Sequence, residues 1–239
     1  MSTLALAGCN KDEDNGSREP AVSKQAQAAL TEKYPNATNV RWTAKDKYVV
    51  ASFSLPESRA AEAGIDLAAW FDNGGAWYMT ETDIPFTALP EAVQTAFEAS
   101  EYASAPWRTD DVDMLEREGV ETIYVIEVEK RENGIETEID LYYSADGVLV
   151  KMLTDSAPDY DYGDYIPSTP ATGIEEYIRT NYPDARITEI DYEHGMTEVD
   201  IIDGRTPREL LFDGSGRVVG FVPESTDYLD LQIGSATAA

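Results

Sequence analysis

Thr122–Asp155 reads TIYVIEVEKRENGIETEIDLYYSADGVLVKMLTD, and its punctuation decides the fold. Three runs rich in β-branched and aromatic residues (122–130, 135–143 and 148–155) are separated by Asn133-Gly134 and Asp146-Gly147. Such pairs favour tight turns between antiparallel strands, because both residues tolerate positive φ. Upstream, RTDDVDMLERE (108–118) supplies a fourth strand. Before it, LPEAVQTAFEAS (89–100) predicts a short amphipathic helix with Pro90 at its first position. A helix followed by an antiparallel meander is a packing recipe, since one face of the sheet needs a cover.

The same order is expected on both sides. Val22, Ala26, Ala29 and Leu30 make a helical stripe that Tyr34-Pro35 ends. Strands are expected at Asn39–Thr43, Tyr48–Leu55, Asp66–Phe71 and Ala76–Asp83, the last two flanking Asp72-Asn73-Gly74-Gly75. Downstream, Thr172 and Glu175 have capping-box spacing, and Ile174, Tyr177 and Ile178 supply the apolar stripe. Strands follow at Arg186–Tyr192, Thr197–Ile202, Arg208–Phe212 and Arg217–Val222. FDNGGAWYM, YSADGVLVKM and FDGSGRVVGF then occupy equivalent places, each joining the last two strands of a unit. The fold class expected is α+β: tandem repeats of a short helix plus a four-stranded antiparallel meander, covered by helices on one face. Residues 1–20 read as a signal remnant and disordered tether, and 21–155 as a domain of two repeats. SAPDYDYGDYIPSTP (156–170) reads as a linker, 171–223 as a third repeat, and 224–239 as a flexible tail.

Eighteen Lys and Arg against 46 Asp and Glu give 18 − 46 = −28. That balance argues against nucleic acid and against an anionic membrane face as partner. Solubility in a crowded compartment accounts for it first, and a basic protein or divalent cations are the partners it would suit. Leu6-Ala7-Gly8-Cys9 resembles the lipobox of bacterial lipoproteins, which implies a lipid on Cys9, the only cysteine. The apolar run before Cys9 is short and no Lys or Arg precedes it, so the natural start is expected upstream. The acidic Lys11-Asp12-Glu13-Asp14 run resembles a surface-export signal of such lipoproteins. The expected location is therefore the bacterial cell envelope, lipid-anchored at the outer membrane, periplasmic or surface-exposed. No disulfide or cysteine-based metal site is expected, and no run approaches a transmembrane span.

Tyr34-Pro35-Asn36-Ala37 with Trp42, Leu89-Pro90-Glu91-Ala92-Val93, and Tyr182-Pro183-Asp184-Ala185 carry a family resemblance. Between Val22 and Val222 the chain resembles the PepSY-like, β-lactamase-inhibitor-protein-like domains of bacterial envelope lipoproteins. The resemblance implies tandem helix-plus-four-strand repeats whose strands join into a curved antiparallel sheet. It offers no catalytic residues to carry over. The chain departs from it in having a third copy, and in that copy's lacking Trp.

Catalysis is not expected. The lone histidine, His194, sits in a predicted turn, no Gly-x-Ser-x-Gly elbow is present, and nothing puts one carboxyl in an apolar pocket. Glu136, Glu138 and Asp140 alternate along one strand and so share a face, with Glu127 and Glu129 across the hairpin. Tyr142 falls on that face and is the expected exposed anchor for a protein partner. Asp159, Asp161 and Asp164 alternate around Gly163 like a calcium loop, although Thr169 stands where that pattern needs Glu. No other cofactor is expected. Two functions follow: a non-enzymatic module that binds or inhibits an envelope protein, and a structural lipoprotein that binds Ca²⁺ or a glycan.

Overall fold

A computed structural model describes residues 22–56, 66–155 and 162–222. Cys9, Asp159 and Asp161 lie outside them, as does the side chain of Asp164. The described chain is mostly antiparallel strand with few helices. In chain order, helix α1 (Lys24–Lys33) precedes β1 (Thr38–Lys45), β2 (Tyr48–Ser54), β3 (Asp66–Asp72) and β4 (Trp77–Asp83). Next, α2 (Glu91–Glu98) precedes β5 (Arg108–Arg117), β6 (Ile123–Glu132), β7 (Ile135–Ser144) and β8 (Leu149–Asp155). Last, α3 (Ile174–Asn181) precedes β9 (Arg186–Glu193), β10 (Met196–Asp203), β11 (Thr206–Asp213) and β12 (Val218–Val222). Strands β1 to β8 form one sheet in sequence order, and β9 to β12 form a second.

Local chemistry explains the boundaries. Asn133 and Gly134 both have positive φ, 54° and 83°, as a tight hairpin between β6 and β7 requires. Ser23 caps α1 by accepting the Ala26 N–H at 3.0 Å. Thr172 does not cap α3: Gly173, at φ 98°, occupies the cap and no side chain bonds there. Pro90 sits one position before α2 rather than inside it.

The three helices seat in the same way. Ala26 and Leu30 of α1 pack on Val49, Phe53 and Phe71, and Val93 and Phe97 of α2 pack on Ile126, Ile139 and Leu141. Ile174 and Ile178 of α3 pack on Val199, Leu210 and Phe212. Each fully buried side chain of this size contributes roughly 1.5–3 kcal/mol. A glycine sets each approach. The N–H groups of Gly75, Gly147 and Gly216 bond back to the carbonyls of Asp72, Ser144 and Asp213 at 3.1, 2.9 and 2.8 Å. All three have positive φ, and a Cβ on any of them would collide with a backbone carbonyl: Gln25, Ala92 or Thr172. That is the physical content of the shared final turn.

Candidate functional site

The first sheet has a helix face and an opposite, outer face, and the pairing register fixes what the outer face carries. Glu127 lies opposite Asp140, Glu129 opposite Glu138, and Asp113 opposite Val125. The expected acidic stripe across the hairpin is therefore in place. Carboxylate oxygens of Glu127, Glu138 and Asp140 lie within 4.8 Å of one another. Arg108 bridges Glu129, and Arg131 reaches Glu136 at 3.8 Å near the hairpin end.

Crowding of like charge at a partly dry surface disfavours ionisation. Burial, then Glu138 and Asp140, raise the Glu127 carboxyl to about 7. Asp113 is raised to about 8, chiefly by burial and then by Glu81, although it accepts the Tyr162 hydroxyl at 2.9 Å. The second sheet repeats the pattern. Glu198, Asp200 and Glu209 converge in the same way, and burial followed by Glu189 and Glu198 raises Asp200 to about 8.

Tyr142 requires a correction. It is not an exposed anchor but only 1% accessible. A short helical turn, Tyr162–Tyr165, lies across the outer face, and the Tyr165 ring stacks on Tyr142 at 4.8 Å and 14°. Ile166 is buried in the same cluster with Val50, Trp70, Met79 and Val125. Tyr162, Tyr165 and Ile166, in a stretch that reads as linker from its Pro, Asp and Tyr content, thus form a cover. Asp140 is also buried, beside the Tyr142 hydroxyl at 3.3 Å. Glu138 is half-buried and Glu136 exposed, which leaves these two as the outermost acids of the predicted set. Trp42 is half-buried against the α1 core.

Arg117, on β5, is a functional feature that pattern reading did not single out. Its buried guanidinium donates to the carbonyls of Tyr165 at 3.4 Å, Glu121 at 3.2 Å and Thr188 at 2.6 Å. It thereby ties the cover and the second sheet to the first. Burial lowers its pKa, partly offset by Glu189. Lys151 bridges Glu189 at 3.2 Å, and Arg186 bridges Glu121 and Asp146 at 2.7 and 3.0 Å. The signal for Arg117 is only an Arg sharing a strand face with Asp113 and Leu115, which sequence cannot distinguish from a solvated one.

His194 occupies the β9–β10 turn with φ 53°, its side chain 84% exposed. No described base, nucleophile and orienting group converge on it. Among the described residues, no helix is long and apolar enough to cross a membrane.

Fold and site together define a class: antiparallel sheet backed by short helices, with acids concentrated on the other side. The family is specific. A family model described as "Putative beta-lactamase-inhibitor-like, PepSY-like" matches residues 58–151 and 165–219, and the chain belongs to that family. The match begins after α1, β1 and β2. Among solved structures, the chain is similar to a BLIP-like protein from Bacteroides fragilis. The two are 34% identical over 59% of this chain and 91% of that one, with TM-score 0.49. A DUF2874 family protein from Bacteroides ovatus is 29% identical over 62% of this chain and 95% of that one, with TM-score 0.50. A Bacteroides eggerthii structure described as "putative periplasmic proteins" is 24% identical over 56% of this chain and 88% of that one, with TM-score 0.48. No curated protein matches.

Proposed function

We propose that the chain is a non-enzymatic binding protein of the bacterial envelope, lipid-anchored through Cys9, that engages a basic protein through the acidic outer face. The family's description as inhibitor-like supports binding over catalysis. One observation carries the reading: the crowding of Glu127, Glu138 and Asp140 on the outer face. Holding these carboxylates together costs stability, and a cationic partner surface would recover that cost on binding. Glu136 and Glu138 replace Tyr142 as the contact residues, because the aromatic beneath them is spent on internal stacking. We further read the three helix-plus-four-strand segments as copies of one module, with residues 1–20 as tether and 224–239 as tail.

The test is capture from solubilised envelope on the immobilised chain at low and high salt. A dominant basic partner held at low salt and released at high salt is expected; an empty bait at low salt would overturn the reading. A second reading is supported by the same crowding: a divalent cation such as Ca²⁺ could bridge Glu127, Glu138 and Asp140, or Glu198, Asp200 and Glu209. Added Ca²⁺ would then raise the melting temperature and chelator would lower it.

A further inference from the structure

We propose that the outer edge of β1 is a second docking site, one that takes an extended acidic segment of another protein as an added strand. This goes beyond the acidic-face reading and does not depend on it. The first observation is charge. Residues 22–56 hold Lys24, Lys33, Arg41, Lys45 and Lys47 against Glu32 and Asp46, which is 5 − 2 = +3. The whole chain is −28, so everything else sums to −28 − 3 = −31. Of the described segments 22–56, 66–155 and 162–222, the first is the one whose charge balance is positive, and Arg41, Lys45 and Lys47 lie on β1 or its turn to β2.

The second observation is topology. Strand β1 is the last in its sheet, bonded on one side to β2 and on the other to no strand among the described residues. Seven of its eight residues are exposed. Pairing of Arg41 with Ser52, Thr43 with Val50 and Lys45 with Tyr48 puts all three on the outer face. Beside them lie Tyr48, Trp70 and Tyr78 in edge-to-face contact at 6.0 and 5.1 Å, with Lys47 5.1 Å from the Tyr48 ring.

An edge strand presents a row of backbone donors and acceptors, and lysines along it deter pairing with its own kind. The same cations admit an incoming strand of opposite sign, because directly opposed side chains lie about 5 Å apart. A strand with acids at alternate positions would set them against Arg41 and Lys45 while its backbone extends the sheet.

The occupant is a different polypeptide rather than a second copy. Pairing β1 with β1 would oppose like charges. The β9 edge is already bonded, with Ile187 and Ile190 carbonyls accepting the Glu121 and Ser168 N–H groups at 2.8 and 2.7 Å. Strand β8 is tied across to β9 through Lys151 and Glu189, and β12 is only five residues long.

The experiment uses the full chain and a labelled peptide of alternating Glu and Thr, followed by fluorescence anisotropy at low salt. Two further peptides carry backbone N-methyl groups on one or the other alternate set of residues. Binding should survive one methylation pattern and fail with the other, since only one edge of an added strand bonds to β1. The variant Arg41→Glu, which reverses a charge the added strand would face, should weaken binding roughly fivefold or more while melting as the wild type does. Absence of peptide binding would overturn the proposal. So would equal binding of both methylated peptides, or indifference to the charge reversal. Dimerisation of the wild type but not of the charge-reversed variant would assign the edge to a second copy and also overturn it. Loss of the envelope partner on Glu136 and Glu138 substitution reports on the acidic face alone, so the two accounts fail separately.

Discussion

At corresponding places on one sheet, hairpin β2–β3 sets Ser52 beside Ala68, whereas hairpin β6–β7 sets Glu127 beside Asp140. The helix sides of the same hairpins are apolar in both: Ala51 and Ala69 under α1, Ile126 and Leu141 under α2. The second sheet follows β6–β7, with Asp200 beside Glu209 outside and Val199 beside Leu210 inside. One face answers to packing and must stay apolar wherever a helix rests on it. The other is released from that demand, and at these places it is uncharged in the first segment and acidic in the later two. The difference teaches where recognition can reside, because nothing in the fold requires the outer faces to differ.

The largest effects should come from the side that does not vary. Gly147→Ala forces a Cβ against the Ala92 carbonyl at φ 77°, and unfolding should show a loss of roughly 3 kcal/mol. Gly75→Ala and Gly216→Ala should behave alike, since each meets a carbonyl at 2.9 Å. Gly134→Ala, with similar φ and open space around it, should cost only about 1 kcal/mol. Equal costs at Gly134 and Gly147 would break the claim that the helices seat equivalently.

The outer faces should separate by pH. Asp113 and Asp200 near 8 and Glu127 near 7 sit above their unfolded values, so the native state holds more protons than the unfolded chain between about pH 4 and 8. Their contribution is complete below the unfolded pKa and is lost as pH rises through the folded one. Melting should therefore be higher at pH 5.5 than at pH 8.5, by about 5 °C. Asp113→Asn should flatten that slope and stabilise the protein at pH 8.5. An unchanged slope would place the coupling elsewhere. A smaller effect is expected from Glu138→Gln, which removes the first like charge acting on Glu127. NMR titration should then show the Glu127 carboxyl moving down toward the ordinary range.

Much of this was legible in the sequence. Asn133-Gly134 placed the β6–β7 turn, and with that turn fixed, period-two alternation brought Glu127 opposite Asp140. Strand boundaries around Asp72–Gly75 and Asp213–Gly216 followed from the same turn chemistry. Tyr142 was misread for a reason local pattern cannot repair. Alternation assigns a side chain to a face, but what covers that face comes from residues more than twenty positions on. Tyr165-Ile166 was a signal, an apolar pair inside an otherwise polar stretch. Arg117 was hidden for the same reason, since its partners are backbone carbonyls at Tyr165 and Thr188, distant in the chain. Thr172 lost the cap to Gly173, whose left-handed φ ends the preceding turn by itself.

The central claim is that the acidic outer face recognises a basic protein, and capture on a neutralised face tests it most directly. Wild-type chain and a Glu127→Gln/Glu136→Gln/Glu138→Gln variant that melts no lower than the wild type would be immobilised side by side against solubilised envelope. The account predicts a basic partner retained by the wild type at low salt and depleted about tenfold or more on the variant. Equal retention on both would contradict it, and recognition would then have to be sought away from this face.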